Sequence, residues 1–247
     1  MNLNLNLKLA LAMALLLPLA GCLHDSQLGP FDCDPATGAC RYEILRGDPY
    51  GELLLEISYV EGNAPDSGAA AEFNALFTPL ARALDNSPRV IILRDYHAEN
   101  LLWRPERTGS ARVGLLDFQD ALQGHPAYDL VSILQDARRD VTPQIETAMI
   151  AHYIRLSGPD DAAFRSAYAL LGLQRNLRIL GIFARLCLRD GKAHYVDFIP
   201  RVWGYVQRNL DDPALAPLAD VLRPALPAPT PEFLKDLKAR CATPQMP

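Results

Sequence analysis

The chain has 247 residues, 49% of them hydrophobic and 21% charged, which is enough to bury a core and too apolar for a disordered chain. A formal charge of −5 at pH 7 argues against a protein that grips nucleic acid through a basic face. Five cysteines, an odd number, exclude a fully paired disulfide framework.

The first 22 residues read MNLNLNLKLALAMALLLPLAGC. As a helix, the apolar run Leu9–Leu19 would reach only about 16 Å, against a hydrocarbon core of about 30 Å, so it is no ordinary membrane span. Small residues ending in Cys22 match a bacterial lipoprotein signal, with Cys22 as the expected lipidation site and membrane anchor. The other readings are a mis-assigned start or an amphiphilic leader with a chance Cys. Cys33 and Cys40 bracket a turn-forming stretch suited to a small disulfide loop in an oxidising compartment. Residues 23–68 hold two β-like runs, Tyr42–Leu45 and Glu52–Val60, and a linker, GNAPDSG.

Residues 69–226 are expected to form the main body and residues 227–247 a Pro-rich tail. Ala69–Leu84 has helical spacing, with Phe73, Leu76, Phe77, Leu80 and Leu84 on one face. Val90–Leu93 is a short apolar run that fits a buried strand. Beyond Pro126 the spacing predicts helices over Ala127–Arg138, Pro143–Leu156, Asp160–Leu188 (bent near Gly172 or Gly181), His194–Leu210 and Glu232–Arg240. Cys187, inside an apolar helical run, reads as a buried small hydrophobe.

The segment with chemical content is IILRDYHAENLLW, followed by ARVGLLDFQD. Leu101–Trp103 and Arg112–Leu116 are apolar runs joined by a polar loop, a hairpin pattern. Asn100 enters the first strand and Asp117 leaves the second, so an antiparallel pairing makes them neighbours. Mg²⁺ takes oxygen ligands, commonly one or two protein carboxylates with nucleotide phosphates, and Asn100 with Asp117 supply a suitable pair. Asp95, outside that metal shell, is placed to accept a proton from an attacking hydroxyl. Taken singly, each of the three is also an ordinary turn or strand-end residue.

These motifs, with GLLDFQDALQGHPAYDLVSILQDARRD and LQRNLRILGIFARL, resemble the C-terminal lobe of the aminoglycoside phosphotransferase family, a branch of the protein-kinase-like fold. Within it they are most similar to bacterial anomeric kinases for N-acetylmuramate and N-acetylglucosamine in cell-wall recycling. The resemblance implies an α+β chain dominated by a kinase-like helical C-lobe with small β hairpins, its N-lobe absent or truncated. It also implies ATP as co-substrate, Mg²⁺, an amino sugar as acceptor, Asp95 as catalytic base, and Asn100 and Asp117 as metal ligands. Asp129 matches the family's G-x-P-x-x-D, where it orients the catalytic loop or simply caps a helix. His97 is a second loop-orienting candidate.

Arg138 and Arg139 are candidates for phosphate or sugar contact, although charges at a helix end need no function. Gln174 and Asn176 interrupt an apolar helix and serve either a sugar or core hydrogen bonding. The chain departs from the family before Gly68, where there is no Gly-rich loop and no Lys after Lys8. Three readings therefore stand side by side: an amino-sugar kinase, a non-catalytic kinase-like binding module, and an envelope lipoprotein. The first implies small-molecule sugar and nucleotide partners and the cytoplasm, the last membrane anchoring through Cys22; no nucleic-acid partner is expected.

Overall fold

The computed structural model describes residues 67–242, apart from Asp120 and Pro227. Cys22 with its leader, the Cys33/Cys40 pair and the β-like runs of residues 42–60 lie outside the described residues. The chain divides into two compact units, whose described parts are residues 86–168 and residues 67–85 with 169–242. Together they hold mostly helix and two short antiparallel strand pairs, an α+β chain. Among the described residues no helix is long and apolar enough to cross a membrane.

The first unit carries both strand pairs. Strand β1 (Val90–Ile92) pairs with β4 (Leu122–Gly124), and β2 (Leu101–Trp103) with β3 (Val113–Leu115). In the second pair Leu101 faces Leu115 and Trp103 faces Val113, the hairpin register expected from its two apolar runs. In β1 the structure departs from a fully buried strand: Ile92 is buried, while Val90 and Ile91 are only half-buried. Its partner β4 has three residues, too few for any alternation to announce it. Gly124 is required there, because a Cβ would meet the Ile92 side chain.

Helix α1 is Ser67–Ala83, α2 Ala127–Leu134 and α3 Pro143–Ser157. Thr142 caps α3, its Oγ1 accepting from Ile145 N–H, with Pro143 where no N–H is needed; Gly158, at φ +71°, ends it. Helix α2 stops four residues short of the expected Arg138, because Gln135 leaves helical geometry at φ −112°, ψ 42°. Between α2 and α3 lies a buried polar group in which the Glu146 carboxylate accepts from Gln135 Nε2 (3.0 Å) and from the Tyr168 hydroxyl (2.8 Å).

Helix α4 (Asp161–Leu188) runs unbroken through Gly172 and Gly181. Gly172 has a packing reason instead: a Cβ there would lie 2.6 Å from the Asn209 Nδ2 amide, so the bare backbone makes room for a buried side chain. Where a single helix His194–Leu210 is expected, a 3₁₀ segment (Ala193–Phe198) precedes α5 (Ile199–Asn209). Pro200 accounts for the break, lacking the N–H that would bond back to Val196.

Helix α6 (Ala216–Ala225) is an element the sequence reading lacks, since Pro217 and Pro224 both look like breakers. Pro217 sits in the first turn, where it needs no N–H, and Pro224 only in the last. In the second unit α1 packs on α6, Phe73 stacking on Phe77 at 5.2 Å with both rings buried. Helix α7 (Pro231–Ala239) packs on the 3₁₀ segment, with Leu237 fully buried and a Lys238–Asp197 ion pair of 2.5 Å. Cys187 is fully buried, but it is disulfide-bonded to Cys241 rather than a free apolar filler. The pairing spans 54 residues, a partner that local sequence cannot name.

Candidate active site

The eight residues between β1 and β2, Leu93 to Asn100, turn the chain sharply. Arg94 has φ +66°, and Asp95 N–H bonds back to Leu93 O at 2.8 Å, the combination that defines the rarer, strained γ-turn. His97 N–H then bonds to Asp95 O at 3.0 Å, and a 3₁₀ turn, Ala98–Asn100, leads into β2. Asp95 is exposed at the crest of this loop.

A positive φ on a residue with a side chain costs about 1–3 kcal/mol and persists only where surroundings enforce it. Helix α2 enforces it here. The Asp129 carboxylate accepts from Leu93 N–H at 2.7 Å and from Arg94 N–H at 3.1 Å, and the Ser132 hydroxyl donates to Arg94 O at 3.3 Å. Asp129 lies in the first turn of α2, where the helix dipole favours its charge. Burial pushes the neighbouring Tyr96 phenol far above its usual range, and the Asp129 charge adds to the effect. The Tyr96 hydroxyl has no hydrogen-bond partner among the described residues.

The hairpin joins this loop to Asp117. Leu116 N–H donates to Asn100 O at 2.9 Å, extending the β2–β3 ladder by one step, so residues 100 and 117 leave adjacent strand ends. Asp117 has φ +55°, is exposed, and accepts from Gln119 Nε2 at 2.5 Å. The Asn100 amide nitrogen donates to Asp95 O at 2.9 Å and lies 3.4 Å from His97 Nε2. An amide oxygen in that position would face a carbonyl oxygen, so the hydrogen bonds orient the group with Nδ2 inward and Oδ1 as a remaining acceptor. The direction of the Asn100–His97 contact follows the tautomer of the imidazole ring.

The first unit therefore brings Asp95, His97, Asn100, Asp117 and Asp129 onto one loop, one hairpin end and one helix start. Arg138 is tied to this loop too, its Nε 3.3 Å from Glu99, so its charge is already engaged. Arg139 is exposed. Gln174 and Asn176 belong to the second unit, where both are buried. Asn176 Nδ2 donates to Gly172 O at 2.8 Å along its own helix, and Gln174 Oε1 has no partner among the described residues.

Sequence reasoning passed over Asp136, whose carboxylate accepts from Ala98 N–H at 3.1 Å and Arg138 N–H at 2.8 Å. Its only signal was an acidic residue at the end of an apolar helix. It also passed over Ser132 and Tyr96.

Among the described residues no group of three or more His, Cys, Asp or Glu converges as a metal-holding cage. One carboxylate and one oriented amide oxygen fit a hard cation that takes its other ligands from phosphate and water, as Mg²⁺ does.

A choline/ethanolamine kinase family protein of Mesorhizobium loti, of known crystal structure, superposes with a TM-score of 0.53 at 13% identity, covering 94% of this chain and 66% of that one. The fold is thus kinase-like. The phosphotransferase enzyme family model matches residues 31–167, more than half of the chain, and the chain belongs to that family. It is 51% identical over 154 residues to an N-acetylmuramate/N-acetylglucosamine kinase of Caulobacter vibrioides, covering 62% of this chain and 42% of that protein. Kinases of the same name are 34% identical in Pseudomonas aeruginosa, over 58% of this chain and 43% of theirs, and 40% in Neisseria meningitidis, over 49% and 37%. The matched stretch spans about two fifths of these relatives' length.

Proposed function

We propose that this chain carries the acceptor and metal side of an ATP-dependent sugar kinase. Its substrate would be an amino sugar of the N-acetylmuramate/N-acetylglucosamine type, phosphorylated in cell-wall recycling. The observation that carries the reading is Asn100, its amide nitrogen tied to Asp95 O and its backbone carbonyl bonded to Leu116 N–H, the residue before Asp117. The names of the relatives supply the substrate class.

Asp95 is the catalytic base: its exposed carboxylate accepts the proton of the attacking hydroxyl as the new phosphorus–oxygen bond forms and the bond from that phosphorus to the departing ADP breaks. Asn100 Oδ1 and Asp117 would hold Mg²⁺, which when bound neutralises phosphate charge and orients the transferred group. Asp129 holds the Leu93–Arg94 turn, and so Asp95, in place; His97 holds the Asn100 amide. Arg139 is a candidate contact for phosphate or sugar, with Arg138 committed to the loop.

The test is ADP release with each sugar, in the chain and in Asp95→Ala. The substitution is expected to lower turnover at least ~10²-fold. Turnover no higher than that of Asp95→Ala would end the kinase reading.

A second reading rests on one sequence feature, the lack of a Gly-rich loop and of any Lys between Lys8 and Gly68. On it the chain binds sugar without transferring phosphate, so calorimetry would show sugar binding but no heat with Mg·ATP. An envelope role rests on Cys22, and palmitate labelling that persists in Cys22→Ser would remove it.

A further inference from the structure

A carboxylate at the C-terminal end of a helix is opposed by the helix dipole, and burying it adds a desolvation cost. Asp136 has both disadvantages. It follows the last turn of α2 and is 3% exposed. Such a residue is held in place by specific hydrogen bonds, and Asp136 accepts one on each oxygen. Oδ1 accepts Arg138 N–H in its own loop, and Oδ2 accepts Ala98 N–H, 38 residues away.

Ala98 opens the 3₁₀ turn that ends at Asn100, and the residue preceding that turn, His97, provides no side-chain cap. Without Asp136 the first N–H of the turn would lose its acceptor. Two residues beyond Asp136, the Arg138 guanidinium reaches the same turn through Glu99 at 3.3 Å. One short segment after α2 therefore grips the turn at two successive residues. The turn's third residue is Asn100, whose backbone carbonyl accepts Leu116 N–H, the residue before Asp117, at 2.9 Å.

We infer that Asp136 is a positioning residue for the metal-ligating turn, capping it from a separate element, with the Arg138–Glu99 ion pair as a second, weaker hold. This deepens the proposed function and rests on that reading for the role of Asn100. Asp136 acts on the turn, and through it on where the Asn100 oxygen stands. Arg138 on this view is a loop clamp and not a substrate contact.

The test uses the full chain and two readouts, neither of them turnover. One is amide hydrogen exchange at Ala98 and Asn100 by NMR. The other is paramagnetic broadening of the Asn100 side-chain amide signal as Mn²⁺ is added. Asp136→Ala is expected to speed exchange at Ala98 and to raise the Mn²⁺ concentration for half-broadening by about 10-fold or more. Asp136→Asn keeps one acceptor oxygen and should fall between it and the parent. Arg138→Gln should shift both readouts in the same direction by less.

Exchange in the interior of α4 serves as the folding control. If Asp136→Ala does not fold, Asp136→Asn and Arg138→Gln carry the test. Unchanged Ala98 exchange in the variants that fold overturns the cap. Faster exchange with unchanged Mn²⁺ response overturns the link to the metal site. An Asn100 signal that Mn²⁺ leaves untouched in the parent chain overturns the proposal through the phosphotransfer reading, and Ala98 exchange then shows separately whether the cap itself holds.

Discussion

Replacing Asp129 with Ala removes the acceptor of two backbone N–H groups at once, those of Leu93 and Arg94 at 2.7 and 3.1 Å. Each is a charge-assisted bond whose loss leaves a partly buried donor without its partner, about 1–3 kcal/mol apiece. The first-turn charge of α2 contributes a further ~0.3–1 kcal/mol that is also lost. Against this, Arg94 is freed from its positive φ, which returns about 1–3 kcal/mol if the loop relaxes. The net expectation is a destabilisation of about 1–4 kcal/mol.

Relaxation of the γ-turn would also move Asp95, so turnover should fall together with stability. Asp129→Asn, with one oxygen in place of two, should lose about half as much. Its lost charge should also lower the Tyr96 phenol titration, read by ultraviolet absorbance, though burial keeps that group above the ordinary range. Urea denaturation by circular dichroism, with amide exchange at Leu93 and Arg94, measures the rest. A shift below ~0.5 kcal/mol for Asp129→Ala, with exchange at both amides unchanged, would refute the argument that α2 holds the loop.

Burial lowers His125 from 6.5 to about 4, and Ala127 N–H donated to its Nδ1 at 3.1 Å needs that nitrogen unprotonated. The unfolded chain takes up the proton first, so this stability is complete above pH 6.5 and is lost as pH falls towards 4; the loss is about 3 kcal/mol. Urea midpoints of the parent should drop across that window, while His125→Asn should show a flatter slope; equal slopes would count against it. Gly172→Ala, although it favours helix, should destabilise by about 1–3 kcal/mol by displacing the Asn209 amide. Adding Asn209→Ala should recover part of that loss in thermal melts. Cys241→Ala removes a cross-link closing 54 residues, worth about 4 kcal/mol by chain entropy. The difference from the parent should be seen in oxidising buffer and vanish with reductant.

Much of this molecule was legible in the sequence because its signals are local. Helices α3 and α4 follow from apolar spacing, the Thr142–Pro143 start and Gly158 as a stop. The β2–β3 hairpin follows from two apolar runs and a polar loop, and its register alone makes residues 100 and 117 neighbours. The segment IILRDYHAENLLW already pointed to the loop on which the fold exposes Asp95.

What the chain's order of residues could not disclose lies between residues far apart along it. Asp129 and Asp136 act on N–H groups 35–38 positions earlier, β1 finds a three-residue partner in β4, and Cys187 meets Cys241 across 54 residues. Local periodicity records which face of an element is apolar, and so it determined the helices and the hairpin. A buried carboxylate's choice of donor depends on which backbone groups folding strips of water beside it, and only the tertiary structure decides that.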